Sequence, residues 1–369
     1  MDYIMNHLSK ICIFIVIVSC LAACHYKRAK SQPDLWFPLD FETNTPIRNM
    51  RSSLTELKLV TDDEFIRLNI NGEVVEQRDL TLPFNFFGFR PALGEYSFIR
   101  LVRAQVAYSR PGLSDSIVQK PLMEMHLTKQ AVQQIYRKDI DDIDPGKNLS
   151  FEEFARVTGA YNGDESKYLL VTLNNTNGSN SIHSLYLMDL GLNAQRTQSS
   201  GITVDKRIDI DLTADTRLVS NTKFINGNFY LCTEFGAWRI DPVSGTAAKI
   251  ATSWIKDVFE KEGKVYLTSF NDFEFLVSSD NGTTFGPVGN NGTSLKFVEV
   301  VNDQVFTQEQ LGLPWRMAED DLGTDSALII NKDFEDSGAE YWNIDYFYNR
   351  YYISIQKQLY YTEDLQVED

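Results

Sequence analysis

Three carboxylates in the middle of the chain have the residue types and spacing that a divalent cation needs. Asp142 and Asp144 alternate along the chain and Glu153 follows them, so hard oxygen ligands recur at the intervals typical of a Ca²⁺-binding loop. Gly146, however, stands where another carboxylate is needed, and Lys147 places an ammonium group where the sharp turn requires glycine. Both departures weaken a divalent site, so we interpret the segment as an acidic loop and predict neither a metal site nor a cofactor, with a degenerate Ca²⁺ site as the alternative.

Catalytic templates of the common kinds are missing from the sequence. It contains no pair of histidines at zinc-binding spacing, no Gly-x-Ser-x-Gly turn and no phosphate-cradling glycine loop. His126 and His183 lie in the region expected to fold, and His183 is interpreted as a solvated loop residue. Cys232 lies in an alternating, strand-like segment and is interpreted as a buried small apolar residue. We therefore predict that the protein is not an enzyme and has no catalytic residues.

The elements that position these residues are short strands that recur along the chain. A turn with Gly, Asn or Asp leads into an aromatic, alternating strand, then into a second strand and a polar turn. The clearest copies begin at Asn226, Glu262, Asn302 and Tyr348, and earlier copies begin at Phe65, Tyr96 and Lys167. Copies are about 35 to 70 residues apart, which matches four-stranded units with and without insertions. This pattern predicts an all-β protein of about seven units.

One copy contains a sharper motif, formed by Ser278, Asp280, Gly282, Thr284 and Phe285. These residues resemble the Asp box of sialidase-like propellers, also called the BNR type. The aspartate accepts hydrogen bonds from the backbone of a hairpin turn, the glycine takes a positive φ, and the aromatic residue wedges between sheets. The resemblance implies a β-propeller of about seven blades spanning residues 35–369, with this box as a structural element.

Residues 127–158 are the exception to the strand pattern. Leu127, Ala131 and Ile135 share one helical face, and the segment from Ser150 to Glu153 is typical of a capping box. We predict a helix-loop-helix insertion that resembles an EF-hand in outline. Propellers usually close by pairing strands from the two termini, so residues 35–41 are expected to pair with residues 358–361. Pro38 predicts an edge position for the first of these strands.

The Asp box also invites a sialidase-like enzyme as an alternative. Such enzymes use a tyrosine nucleophile, a glutamate and an arginine cluster that binds a substrate carboxylate. Phe89, Arg90 and Pro91 are only partly similar to the arginine motif of that family, because its isoleucine is missing. Among the aromatics, residues 340–352 are rich in tyrosine, and we favour core packing for them, with a contribution to binding as the alternative.

The N-terminus resembles the leader of a bacterial lipoprotein. An apolar run from Ile11 follows Lys10 and ends in Leu21-Ala22-Ala23-Cys24, where the two alanines precede a cysteine that would be acylated. We predict a signal peptide over residues 1–23, lipidation at Cys24 and a tether over residues 24–34. The protein is expected on the outer membrane. In some Gram-negative groups an acidic run after the acylated cysteine marks export to the cell surface; the residues after Cys24 are basic instead, so by this analogy the protein is expected to face the periplasm.

The composition limits the classes of partner. Hydrophobic residues make up 43% of the 369 residues and the net charge is -16, so the chain is expected to fold and to repel nucleic acid. We predict a membrane-tethered, non-enzymatic propeller that binds or scaffolds a protein or glycan partner in the cell envelope. The alternatives are a sialidase-like glycan hydrolase and a structural subunit of an outer-membrane assembly.

Overall fold

The computed structural model describes most of the chain from Trp36 onward. It describes residues 36–80, 91–108, 116–129, 134–140, 142–143, 158–176, 179–208, 210, 219–270, 274–290, 295–309, 314–317, 327–329 and 342–363. All of the regular elements within these ranges are β-strands. The prediction of an all-β protein is therefore confirmed for the described part of the chain.

The described strands form seven four-stranded antiparallel sheets, numbered here along the chain. Sheet 1 comprises β2 (Asn49–Ser52), β3 (Leu57–Val60), β4 (Glu64–Leu68) and β5 (Val74–Asp79). Sheet 2 comprises β6 (Ala92–Leu93), β7 (Ser97–Tyr108), β8 (Ser116–Leu127) and β9 (Ile135–Asp139). Sheet 3 comprises β10 (Thr158–Tyr161), β11 (Lys167–Thr176), β12 (Ser179–Asp189) and β13 (Thr203–Ile208).

The later sheets follow the same order of strands. Sheet 4 comprises β14 (Val219–Ile225), β15 (Asn228–Thr233), β16 (Gly236–Ile240) and β17 (Ala247–Ala251). Sheet 5 comprises β18 (Ile255–Lys261), β19 (Lys264–Ser269), β20 (Glu274–Ser278) and β21 (Gly286–Asn290). Sheet 6 comprises β22 (Leu295–Val301), β23 (Gln304–Glu309), β24 (Pro314–Met317) and β25 (Ala327–Ile329). Sheet 7 comprises β26 (Trp342–Phe347), β27 (Arg350–Ile355), β28 (Gln358–Thr362) and, from the other end of the chain, β1 (Phe37–Glu42).

Most sheets bury both faces, which explains the continuous apolar runs in their middle strands. In β15, Phe229 and Leu231 pack against sheet 3, whereas Tyr230 and Cys232 point the other way and pack against sheet 5. Seven such apolar clusters lie between consecutive sheets, and one of them joins sheet 7 to sheet 1. The first strands of successive sheets are also in contact, again including sheets 7 and 1. The sheets thus follow one another in cyclic order, an arrangement like that of a β-propeller.

The repeated turn of the sequence joins the first two strands of a sheet. Both central residues have a positive φ in four of these hairpins, as at Asn226 (46°) and Gly227 (84°). This is the type I′ geometry, whose twist matches that of the flanking strands. These turns lie at the end of the sheets that also carries the turn between the third and fourth strands, which we call the lower end. The opposite end is the upper end.

The two termini meet in sheet 7, as predicted. β1 pairs antiparallel with β28, with Pro38 opposite Tyr360. The missing N–H of proline is tolerated because β1 is the outer strand of this sheet. Gln358 strengthens the pairing, since its Nε2 donates hydrogen bonds to the carbonyls of Leu39 at 2.8 Å and Phe41 at 3.2 Å.

The predicted helix over residues 127–137 is wrong. β8 continues to Leu127, and Ile135 begins β9, where it pairs with His126. Met123, Met125 and Leu127 alternate on the strand and are buried between sheets 2 and 3. The spacing of Leu127 and Ile135 fits a helical face, but the two residues belong to adjacent strands of one hairpin. The second predicted helix, over residues 150–157, lies outside the described residues.

Candidate binding surface

The predicted box residues form a compact turn between β20 and β21, at the lower end of sheet 5. The Asp280 carboxylate accepts hydrogen bonds from the backbone N–H groups of Thr283 at 3.0 Å and Thr284 at 2.8 Å, and from the Thr284 hydroxyl at 2.6 Å. The hydroxyl of Ser278 donates to Asp280 at 2.7 Å and accepts from the N–H of Gly282 at 2.8 Å. These hydrogen bonds hold the pKa of Asp280 well below its ordinary value.

The same turn connects sheet 5 to sheet 4. Phe285 packs against the apolar cluster between these sheets. The carbonyl of Asn281 accepts hydrogen bonds from the Tyr230 hydroxyl at 3.3 Å and from Arg239 at 3.0 Å, both on sheet 4. The turn therefore acts as a structural contact between neighbouring sheets, and its identification as an Asp box stays a prediction.

Several other predicted site residues lie outside the described residues. These are the leader, Cys24 and its tether, Asp144 and Glu153 of the acidic loop, and Phe89 and Arg90 of the arginine motif. Asp142 is described and lies in a turn, where its backbone N–H donates to the carbonyl of Asp139 at 3.2 Å. Within the described ranges, no cluster of His, Cys, Asp or Glu could hold a metal ion, and no helix is long and apolar enough to cross a membrane.

The tyrosine-rich segment 340–352 contributes mainly to packing where its side chains are described. Tyr351 and Tyr352 are buried, the first against Phe306 of sheet 6 and the second between sheets 7 and 1. Tyr348 is 59% exposed in the lower turn between β26 and β27. Cys232 is buried, as predicted, and burial raises the pKa of its thiol.

His126 belongs to a buried charged cluster between sheets 1 and 2 that the sequence analysis did not identify. Glu124 is paired with Arg100 at 2.9 Å and with Arg137 at 2.7 Å, and His126 Nε2 lies 3.2 Å from the same carboxylate. Arg100 also donates to the carbonyl of Asp62 on sheet 1 at 3.4 Å. Two arginines thus compensate the buried carboxylate from both sides.

An aromatic stack covers this cluster on the side of sheet 1. The His126 ring stacks on Phe98 with a centroid distance of 4.4 Å, and Phe98 stacks on Phe65 of sheet 1 at 5.2 Å. Burial and the nearby charge of Arg100 lower the pKa of His126 in spite of its contact with Glu124. Burial acts to raise the pKa of Glu124, but His126, Arg100 and Arg137 outweigh this effect and lower it to about 2.

A recurrent polar side chain links the first strands of consecutive sheets. Asn49, Asn221, Asp257 and Asn343 each stand five residues before the middle of the lower turn in their own sheets. Asn49 donates to the carbonyl of Pro91, next to sheet 2, at 2.7 Å, and Asn343 donates to that of Ile47, next to sheet 1, at 3.3 Å. Such side chains satisfy backbone carbonyls just before the first strand of the next sheet.

Sheets 4, 5 and 6 share a more extended version of this link. Asp257 accepts hydrogen bonds from Asn221 of sheet 4 and from the N–H of Val298 of sheet 6, each at 2.7 Å. Lys223 of sheet 4 contacts Asp257 at 3.0 Å and Glu299 at 3.7 Å. These charged groups are therefore engaged between sheets, as are those of the cluster at Glu124.

A group of side chains at the upper end of sheets 4 and 5 has a different character. The rings of Trp254 and Phe270 lie 4.2 Å apart, and Lys256 Nζ lies 4.1 Å from the first ring and 4.2 Å from the second. Trp254 Nε1 donates to Ser220 of sheet 4 at 3.3 Å. All four residues are partly exposed. Phe235, in the upper turn of sheet 4, is 40% exposed. We call these five residues the upper aromatic surface.

This surface offers partly exposed aromatic rings to a ligand. Rings of tryptophan and phenylalanine provide rigid apolar area at recognition surfaces. No motif in the sequence predicts this surface, because Trp254 and Phe270 come from two loops of the same sheet. The signal available in the sequence was an aromatic residue at each end of the hairpin formed by residues 255–269.

Comparison with known proteins adds information on the fold. No model of a protein family matches the chain, and no curated protein matches it. Among solved structures, the chain is similar to the extracellular domain of a protein from B. thetaiotaomicron described as a one-component system, with 9% identity and a TM-score of 0.52. That match covers 92% of this chain and 44% of the other, so this chain spans less than half the length of that structure.

Two further structures have comparable similarity. A second structure of the same B. thetaiotaomicron extracellular domain, described there as part of a hybrid two-component system, matches at 9% identity with a TM-score of 0.50, over 92% of this chain and 43% of the other. PorZ, a surface component of the type-IX secretion system of Porphyromonas gingivalis, matches at 8% identity with a TM-score of 0.49, over 89% and 38%. The likeness to this B. thetaiotaomicron domain concerns the fold alone.

Proposed function

We propose that the protein is a non-enzymatic, seven-bladed β-propeller that binds or scaffolds a protein or glycan partner in the bacterial cell envelope. Each four-stranded sheet is one blade, and β1 closes the ring in sheet 7. In this proposal Cys24 is acylated, the 24–34 segment tethers the propeller to the outer membrane, and the folded part faces the periplasm. The extracellular location of the similar B. thetaiotaomicron domain agrees with export from the cytoplasm.

The observation that carries the binding role is the upper aromatic surface. The described charged groups at Glu124 and Asp257 are committed to contacts between sheets, so they serve the framework. Trp254 and Phe270 form a partly exposed aromatic pair at the upper end, and Lys256 Nζ lies over both rings. A cyclic arrangement of packed sheets that presents these side chains suits recognition, because the protein loses little conformational entropy when it binds a partner.

The test is affinity purification of the full-length protein from membranes, followed by mass spectrometry. We expect a partner or glycan that is recovered with the wild type and lost with the Trp254→Ala/Phe270→Ala variant. Tyr348→Ala is the matched control, since it removes an exposed aromatic ring from the lower end. Retention of the partner by the upper variant would contradict the assignment of this surface.

A panel of sialosides tests the enzymatic alternative with the same preparation. We expect no hydrolysis by the wild type. Hydrolysis of a sialoside, together with recovery of no stable partner, would overturn the binding proposal in favour of a sialidase-like hydrolase. A stable complex with integral outer-membrane proteins that does not depend on Trp254 or Phe270 would instead favour a structural subunit.

A further inference from the structure

Several described residues at the lower end of the sheets have exposed apolar side chains. They are Phe37, Leu54, Val74, Val75, Val204, Val243 and Tyr348, which lie in lower turns or at the lower ends of strands. Two other exposed large apolar side chains among the described residues are Phe235, in an upper turn, and Val288, in the middle of β21. Side chains of this kind gain free energy of transfer when they leave water, so the lower set favours contact with an apolar partner.

Five of these side chains belong to the neighbouring sheets 7 and 1. Leu54 is 95% exposed in the turn between β2 and β3, and Tyr348 occupies the corresponding turn of sheet 7. Phe37 opens β1, and Val74 and Val75 open β5. These five residues form what we call the lower apolar surface.

Contacts near this surface place the two sheets side by side. The outer part of sheet 1 approaches β1 closely, because a Cβ atom on Gly72 would lie 3.0 Å from Leu39 Cδ2. Met50 and Leu57 of sheet 1 share an apolar cluster with Phe347 of sheet 7. The lower apolar surface therefore spans one junction between sheets.

The chain enters the folded part at this same surface. Trp36 is buried with sheets 6 and 7, and β1 begins at Phe37 at the lower end. Residues 25–35 connect this point to Cys24, and a fully extended segment of that length spans about 40 Å at most. The segment includes Lys27, Arg28 and Lys30. A lipid on Cys24 would thus keep the lower apolar surface within a short distance of the bilayer.

We propose that the lower apolar surface rests on the lipid bilayer, with its side chains in the headgroup region, and that it orients the propeller with the upper end away from the membrane. This proposal rests on the lipid attachment to Cys24 included in the proposed function. Apolar side chains at an interface gain affinity in proportion to their buried area, and the anchor raises their local concentration at the membrane. The partner of this surface is therefore lipid, and the upper aromatic surface is left accessible.

The test uses the acylated full-length protein in phosphatidylcholine vesicles that contain brominated acyl chains. An environment-sensitive fluorophore is attached to Leu54→Cys, to Val75→Cys or, as the control, to Phe235→Cys at the upper end. Cys232 is buried, so the introduced thiol is the accessible one among the described residues. We expect the brominated lipid to quench most of the emission at positions 54 and 75, and to leave that at position 235 unchanged.

Two results would overturn the proposal. If brominated lipid quenches the emission at positions 54 and 75 no more than it does at position 235, the lower surface lies away from lipid. Shielding of positions 54 and 75 from aqueous iodide without quenching by brominated lipid would assign the surface to a protein partner. The mass of the N-terminal peptide distinguishes failure of the lipid contact from failure of the anchor. An unmodified Cys24 contradicts the proposed tether. An acylated Cys24 with unquenched probes contradicts the lipid contact alone.

Discussion

At position 282 the backbone has a φ of +76°, and a hydroxyl from the neighbouring sheet fills the space that a side chain would need. A Cβ atom on Gly282 would overlap Tyr230 Oη. Glycine is thus required twice, once by the conformation of the 278–285 turn and once by its contact with sheet 4. Gly263, in the lower turn before β19, has a similar φ of +74° but no atom within 4 Å of its Cβ position.

The two glycines separate backbone strain from steric conflict. We expect Gly263→Ala to lower the free energy of unfolding by about 1 kcal/mol, the cost of the left-handed conformation. Gly282→Ala is expected to cost about 3 kcal/mol, because Tyr230 must also move. Urea unfolding of both variants measures the difference. Equal losses, or no recovery when Tyr230→Phe is added to Gly282→Ala, would show that the hydroxyl is not the obstacle.

The 278–285 turn also shows what can be predicted at the scale of residues. Its internal hydrogen bonds join residues within four positions of one another, so the motif itself contains the information for the local shape. Its partners Tyr230 and Arg239 lie about forty to fifty residues earlier. Their contact depends on how sheets 4 and 5 pack, and nothing in the spacing of either segment specifies that packing.

Strands and hairpins were predictable where the turn chemistry is explicit. Asn226-Gly227 is a pair that favours the type I′ turn it forms, and Glu262-Gly263 has positive φ values at the same two positions. In both hairpins the flanking strands begin where the pattern places them. The segment after Leu127 was misinterpreted because apolar residues at helical spacing also occur in two strands of a hairpin. The links formed by Asn49 and Asn343 were not predictable, since each binds a backbone carbonyl of another sheet.

The charged cluster between sheets 1 and 2 gives these elements a pH dependence. His126 has a lowered pKa in the folded protein, whereas in the unfolded chain its pKa is about 6.5. Below that pH the unfolded chain binds a proton that the folded protein does not, so stability falls as the pH decreases. Glu124, whose pKa is about 2 when folded, stabilises the fold fully above its unfolded pKa of about 4.3, and this contribution is lost as the pH falls from there toward 2.

Of these two groups, His126 is the one that takes up a proton in the unfolded chain between pH 7 and pH 5. We expect the free energy of unfolding of the wild type to fall over this range with a slope of up to about 1.4 kcal/mol per pH unit from His126. His126→Gln keeps a donor for Glu124 but removes this part of the slope, whatever it does to the absolute stability. Urea unfolding at a series of pH values gives the slope, and His183→Gln on sheet 3 is the control. An unchanged slope in His126→Gln would contradict a buried neutral imidazole.

At the scale of the whole molecule, the sheets depend on one another rather than on their own hydrogen bonds. A single four-stranded sheet exposes two apolar faces, and here each of the seven clusters is shared by two sheets. The contact between sheets 7 and 1 removes the two ends that a linear stack would leave in water. β1 supplies the outer strand of sheet 7, which makes the N-terminal segment part of the cyclic arrangement.

The dependence on β1 can be measured by truncation. A chain without residues 1–42 lacks β1, so it loses the hydrogen bonds of Gln358 to Leu39 and Phe41 and the burial of Trp36. We expect its free energy of unfolding to fall by at least about 3 kcal/mol, the scale of one large buried side chain with its neighbours. The control lacks residues 1–33 only, keeps Trp36 and β1, and is expected to match the full chain in urea unfolding. Because β28 then presents an open edge, a peptide of residues 34–43 should restore part of the loss in a concentration-dependent way. Equal stability of the two truncated chains would mean that sheet 7 does not need its N-terminal strand.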